Sequence, residues 1–273
     1  PYVDHWVEYR YDANGNMTFD GRKRLDFTYN FLNLVDMVSD ADDSSVAAGY
    51  SWLADGTKLQ VVDGFGNGYL YLGSFVYSKR QGGEWELEST GFGGGRIMAS
   101  HGGPGSGGGS APSAIYTPYY HITDHLGSVR VVFTYNGGTP EVVAQNDYYP
   151  FGLRHHNAGL FAGSDTNNRF LYNGKEKQTT GSLSLLDYGA RMNDTELGRW
   201  FVADPLAEKY YSISPYVFCA NNPIIFVDSY GRDLKIYYKS NEGKTLSFTY
   251  TGVEKNIPNN SFVQSVVNAV NGS

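Results

Sequence analysis

The stretch Tyr9-Arg10-Tyr11-Asp12-Ala13-Asn14-Gly15-Asn16 runs directly into Met17 and Thr18, so alternating aromatics meet an Asn/Gly turn before the chain resumes. Alternation with period two places Tyr9 and Tyr11 on one face of a strand, and Asn-Gly accepts the positive φ of a tight reversal. The segment predicts a β-hairpin. Related units follow at 25–30 and 50–59, and Tyr11 and Tyr29 lie 18 residues apart, a fixed spacing of the kind that marks an array. Composition points the same way, because 23 Tyr, 15 Phe and 4 Trp favour strands while 34 Gly supply turns. Further strand-like runs occupy 69–72 and 84–88, the second a strict alternation. A mostly β chain is expected.

Tyr9 to Asn16 fits the pattern Tyr-x-Tyr-Asp-x-x-Gly-Asn throughout, and in this the chain resembles the YD-repeat proteins. The resemblance implies an antiparallel β-hairpin sheet that forms part of a curled, hollow shell, with Tyr and Trp packed on one face. An ordinary antiparallel sheet is the alternative that this stretch leaves open.

Residues 102–113 contain nothing larger than Ala or Pro to bury, so 98–114 reads as a flexible linker between a YD-repeat region at 1–97 and a second region at 115–232. Its composition looks like an engineered junction, with a natural surface loop as the alternative. The tail at 233–273 changes character. Two strand-like runs at 234–238 and 245–250 flank a turn at 241–244. Phe262, Val263, Val266, Val267 and Val270 then recur at helical spacing, with Asn260 or Ser261 able to cap, which predicts a short C-terminal helix.

The second region carries a series of motifs. Asp124-His125-Leu126-Gly127-Ser128-Val129-Arg130 is followed by Tyr148-Tyr149-Pro150-Phe151-Gly152 and Phe170-Leu171-Tyr172-Asn173-Gly174-Lys175-Glu176. Leu186-Asp187-Tyr188-Gly189-Ala190-Arg191-Met192, Gly198-Arg199-Trp200-Phe201-Val202-Ala203-Asp204-Pro205 and Asn221-Asn222-Pro223-Ile224-Ile225-Phe226-Val227-Asp228 complete it. In order and spacing, residues 116–232 resemble the RHS repeat-associated core of YD-repeat proteins. That resemblance implies a core that plugs one end of the shell, in the C-terminal part of a bacterial polymorphic toxin, and cuts its own chain with aspartates. It assigns the catalytic roles to Asp204 and Asp228 and the scissile bond to Arg232-Asp233. Two carboxylates can hydrolyse an amide when one stays protonated to donate while the other deprotonates a water. The terminal motif reads Asp228-Ser229-Tyr230-Gly231-Arg232, with Ser where the family has Pro, so the turn lacks the fixed φ that proline would supply. The plainer alternative gives both aspartates ordinary turn roles as acceptors of backbone amides.

The partners implied are the chain's own C-terminal toxin segment, an upstream YD-repeat shell or secretion machinery, and an immunity protein, in an exported or cell-surface bacterial protein. Pro1 in place of Met predicts a further region upstream. A net charge of −7 argues against nucleic acid as a partner of the core, and no apolar run is long enough to span a membrane. No metal or cofactor is expected: His121 and His125 flank Asp124 at a spacing that suits a metal only on a helix, and a strand and turn are read there. His155-His156 reads as a solvated loop, and Cys219, the only cysteine, as a small core residue. Two other functions stay open, a cell-surface binding or adhesion array and a small C-terminal toxin enzyme. Against the enzyme, residues 233–273 contain no His or Cys.

Overall fold

The computed structural model describes residues 7–101, 114–155, 168–210, 212–240, 244–250 and 257–271. Most of residues 98–114, the tail turn at 241–243 and His156 lie outside the described residues.

The first half of the chain is one antiparallel sheet in which every strand pairs with its neighbour in sequence. It opens with β1 (Tyr9–Tyr11), β2 (Met17–Asp20), β3 (Leu25–Tyr29), β4 (Val35–Asp40) and β5 (Val46–Trp52). It continues through β6 (Lys58–Val62), β7 (Gly68–Leu72), β8 (Phe75–Lys79) and β9 (Glu86–Phe92). The last four strands are β10 (Gly95–Ser100), β11 (Ile115–Thr123), β12 (Val129–Asn136) and β13 (Thr139–Gln145). Met98, Ala99 and Ser100, expected in a linker, instead finish β10 and pair with Thr117, Tyr116 and Ile115, continuing the ladder that begins at Gly95 and Tyr120.

The reversals share one piece of chemistry. At Asp12, Oδ1 accepts the amides of Asn14 and Asn16, both at 2.9 Å, Oδ2 accepts Asn16 Nδ2 at 2.9 Å, and Gly15 takes the left-handed φ of +79°. Asp63-Gly64-Phe65-Gly66-Asn67, a match that the repeat reading above passes over, builds the same turn: Oδ1 accepts Phe65 and Asn67, and Oδ2 accepts Asn67 Nδ2 at 2.8 Å. Asp124 repeats it with the amides of Leu126 and Ser128. An aspartate that binds the amides two and four residues on thus closes each of these hairpins.

The second half packs on one face of this sheet. It comprises a four-stranded sheet of β14 (Glu176–Gln178), β15 (Leu185–Asp187), β16 (Met192–Asp194) and β17 (Arg199–Trp200). A three-stranded sheet follows, of β18 (Phe226–Asp228), β19 (Leu234–Lys239) and β20 (Thr245–Tyr250). One helix, α1 (Ser261–Asn271), is capped by Asn260, whose Oδ1 accepts the amides of Phe262 and Val263. The chain is mostly β, with antiparallel sheets and one short C-terminal helix, as its sequence implied.

One large apolar cluster holds the halves together, and a second lies within the second half. Met17, Phe27, Val38, Tyr50 and Val61 of the long sheet bury against Leu183, Leu185, Met192, Phe201 and Val202. The first turn is docked directly, since Met17 N donates to Phe201 O at 3.0 Å and Tyr216 Oη to Gly15 O at 2.8 Å. A buried polar tie lies beside it: Lys58 Nζ on β6 donates at 2.6 Å to both Glu176 and Asp187. The second cluster gathers Tyr188, Trp200, Tyr210 and Phe218 with Leu234, Ile236, Tyr250, Val263 and Val267 of the tail. The compositional break at Arg232 is therefore no break in packing.

Candidate functional site

The site is organised by Arg191, the last residue of the connection between β15 and β16. Its guanidinium lies over the Trp200 ring, 4.2 Å from the centroid, and only 2% of its side chain is exposed. A cation so placed needs partners, because an isolated charge in an apolar cluster is very costly. It has four acceptors. Nη2 faces Asp204 Oδ2 at 2.8 Å and Asp228 Oδ2 at 3.0 Å, Nε donates to Gly231 O at 2.6 Å, and Nη1 reaches Pro215 O at 3.4 Å. Asp204 and Asp228, the two aspartates that the sequence singled out, are thus brought together through a residue to which it assigned no role. The available signal was an arginine among Tyr188, Met192 and Trp200, since a cation in so apolar a setting is seldom buried without carboxylate partners.

Asp204 follows β17. Its backbone amide donates to Pro215 O at 3.0 Å and its Oδ1 accepts Leu206 N at 2.7 Å. Burial raises the proton affinity of this carboxyl above the usual carboxylate range, and Arg191 offsets part of that rise. The guanidinium of Arg191 is itself pushed down by burial, with both carboxylates opposing the shift. Arg191, Asp204, Trp200, Tyr210 and Leu234 line one cleft.

Asp228 ends β18, and its side chain is 1% exposed. Its Oδ1 accepts the amides of Tyr230 at 3.1 Å and Arg232 at 2.9 Å, while Gly231 adopts φ +70°. This is the hairpin turn of Asp12 and Asp63 built once more, with one change. Where those turns place an Asn that occupies the second carboxylate oxygen, this one places Arg232, and Oδ2 is taken by Arg191 instead. Arg232 and Asp233 therefore sit in the hairpin loop that joins β18 to β19, with Asp228 paired to Leu234 across its base. The peptide just before the candidate scissile bond is gripped on both sides, its carbonyl by Arg191 Nε and its N–H by Asp228 Oδ1. Both aspartates do accept backbone amides as ordinary turn residues would, and both also reach Arg191.

The wall behind β18 is strained. Cys219, Ala220 and Asn221 adopt φ of 48°, 50° and 59°, three consecutive non-glycine residues in the left-handed region, at roughly 1–2 kcal/mol each. Cys219 is buried, and burial holds its thiol well above its ordinary pKa.

No protein-family model matches the chain. Among characterised proteins, salivary gland surface protein 1 of Aedes aegypti is 36% identical over 116 residues, 42% of this chain. Toxin subunit YenC1 of Yersinia entomophaga is 32% identical over 94 residues, 34% of this chain. The chain spans only 3% and 9% of those two proteins. Among solved structures, the TcdB2-TccC3 complex superimposes on 81% of the chain with a TM-score of 0.59 at 18% identity. The Photorhabdus luminescens Tc holotoxin pore, with an aspartate-to-alanine substitution in TccC3, covers the same share with a TM-score of 0.58 at 16% identity. The fold is Tc-toxin-like. The matched stretches are 11% and 10% of those chains, so this Tc-toxin-like unit corresponds to a small part of each.

The histidines take other places. His125 Nε2 contacts Ile224 O at 3.1 Å, and His121 Nε2 contacts Asn168 Nδ2 at 3.3 Å, with burial lowering the His121 pKa. Among the described residues no group of three or more His, Cys, Asp or Glu is placed to hold a metal. Among them, too, no helix is long and apolar enough to cross a membrane.

Proposed function

We propose that this chain is a shell-and-plug module of an RHS-type toxin assembly, in which the core helps to enclose a C-terminal segment and cuts the chain at Arg232-Asp233. The observation that carries the reading is the convergence of Asp204 and Asp228 on Arg191, beside the loop that contains that bond. In the proposed step a water oxygen bonds to the Arg232 carbonyl carbon while Asp228 takes the water proton. Asp204, whose proton affinity is raised, gives a proton to the Asp233 nitrogen as the C–N bond breaks. The partners on this reading are the enclosed C-terminal segment, the remainder of the shell and an immunity protein that neutralises the toxin.

Intact mass of the purified chain beside Asp228→Asn tests it. The substituted side chain keeps an oxygen that can accept the two turn amides and loses the base. Loss of residues 233–273 from the wild type alone supports the reading, and full-length mass in both sinks it.

A second reading, a surface-binding array, draws on the sheet face turned away from the core. Phe92, Tyr120, Phe133 and Tyr135 form a contiguous ring cluster there, with centroids 5.3–6.0 Å apart and Tyr135 more than half exposed. Gly95 lies in register between Phe92 and Tyr120, and a Cβ there would meet the Tyr119 carbonyl at 2.1 Å and the Phe92 ring at 2.7 Å, so both the ladder and the ring leave room only for glycine. Substitution of Tyr120 and Tyr135 by Ser, with binding to host-cell surfaces as the readout, tests it: unchanged binding removes this reading.

A further inference from the structure

Lys175 follows the short turn Tyr172–Gly174, and its side chain is half-buried. Its Nζ donates to the carbonyl of Ser229, the residue that stands where a proline would have fixed φ. The ammonium lies 5.2 Å from the centroid of the Tyr188 ring and 5.7 Å from that of Tyr230. Asp187, Asp228 and Lys235 are the charged groups that act on it, and burial lowers its pKa.

The loop around it is held at every step. Ser229 O accepts Lys175 Nζ, Tyr230 O accepts the amide of Ala190 at 3.2 Å, and Gly231 O accepts Arg191 Nε at 2.6 Å. Three successive carbonyls are thus taken by donors from the core, while Asp228 Oδ1 takes the amides of Tyr230 and Arg232. Two of the three carbonyl bonds are shared with features already described, since Arg191 binds the aspartates and Ala190 precedes it. The bond from Lys175 is different. It is the one among them made by a side chain that touches neither Asp204 nor Asp228 directly, and it fixes the residue where the loop departs from β18. Among the described residues the Ser229 amide donates no hydrogen bond, so a proline at that position would remove no partner.

We infer that Lys175 is a positioning residue for the candidate cleavage loop: by clamping the Ser229 carbonyl it does noncovalently what a proline ring at 229 would do covalently. The role in cleavage rests on the self-cleavage reading above; the hold on the loop does not. A hydrogen bond from a charged donor stabilises by enough to slow local opening roughly tenfold or more. A proline that fits its site restricts the open chain by a few-fold.

The test is hydrogen exchange, read by mass spectrometry on peptides that span the 226–236 loop, in full-length chain carrying Asp204→Asn so that it stays whole. Lys175→Gln is expected to speed exchange in the loop about tenfold while the β5–β6 hairpin stays unchanged, and Lys175→Arg to stay near wild type. Adding Ser229→Pro to Lys175→Gln is expected to recover about threefold of the loss. Unchanged loop exchange in Lys175→Gln, equal acceleration across the chain, or no recovery with Ser229→Pro would each overturn the clamp. With Asp204 restored, the cleavage rate followed by intact mass is expected to fall and recover in the same order. A wild type that never cuts defeats the self-cleavage reading and the positioning role together, while the exchange data still decide whether Lys175 holds the turn. A cutting wild type whose rate ignores Lys175→Gln defeats the positioning role alone.

Discussion

Asp204 and Asp228 meet on a single nitrogen of a buried arginine, at 2.8 and 3.0 Å, although 24 positions separate them in the chain. Neither carboxylate is placed by local spacing. One comes from the loop after β17, the other from the end of β18, and Arg191 from the turn before β16.

Removing the arginine should therefore unbalance both. Arg191→Leu is expected to lower stability by about 3–5 kcal/mol, because it leaves two largely buried carboxylates without the cation that pairs them. Arg191→Lys should cost less, since the charge survives while the fork that reaches four acceptors is lost. Denaturant unfolding of the two variants checks the order, and equal stability of Arg191→Leu and wild type would refute it.

Arg232 offers a sharper test. In the turns at Asp12 and Asp63 the residue four positions on is Asn, and it occupies the second carboxylate oxygen. Arg232→Asn should let the new amide compete with Arg191 for Asp228 Oδ2, slowing cleavage about tenfold, the worth of one hydrogen bond, whereas Arg232→Leu should leave the rate within a few-fold of wild type. Rates from intact mass over time distinguish them. Equal rates in the two variants would show that this oxygen is not the one that matters.

The raised proton affinity of Asp204 fixes the sign of a pH effect. As pH rises from the ordinary carboxylate value toward the elevated one, the unfolded chain loses this proton before the folded chain does, so folding stability falls across that window. The same rise removes the proton that the proposed acid donates, so cleavage should slow as pH passes the elevated value. Asp204→Asn should flatten the stability profile in that window. Calorimetry from acid to neutral pH measures it, and an unchanged slope in the variant would count against the assignment.

Cys219 should behave as a core atom. With its thiol buried and its pKa pushed up, it is expected to react with a thiol reagent at least about a hundredfold more slowly in the native chain than in the denatured one. Rapid labelling without loss of structure would contradict the packing around β18.

If the chain is cut, the tail should stay. β19 is hydrogen-bonded to β18, and Ile236, Tyr250, Val263 and Val267 share a core with Trp200 and Phe218. The two pieces should co-elute under native conditions and separate only on denaturation, and native size-exclusion chromatography settles the point.

The hairpins were legible in the sequence because their determinants are local. Strand-like runs and a related repeat unit placed β3, β7 and β19, helical spacing with a cap at Asn260 or Ser261 placed α1, and the Asp-x-x-Gly turn could be read as soon as one copy was seen. The pairing of Asp204 with Asp228 was legible as a pair of residues, through resemblance, and not as a geometry. Arg191 and Lys175 escaped because a buried cation leaves no periodic signal, and its partners lie in other elements. Lys58, which reaches Glu176 and Asp187 across more than a hundred residues, escaped for the same reason.

The next-neighbour pairing of the long sheet has a consequence for time. Apart from β10–β11, whose strands are separated by residues 101–114, its hairpins close across short connections and can form as soon as their own residues exist. The cluster of Arg191, Asp204 and Asp228 instead depends on a core that docks onto the first turn of the chain, where Tyr216 meets Gly15 across 201 positions. Contacts so distant in sequence form late, because a long loop must close before they gain anything. The expected order is sheet first and carboxylate pair last, so if the proposed cleavage occurs, a chain still emerging from synthesis would hold Asp204 and Asp228 apart and completion of the fold would be the trigger.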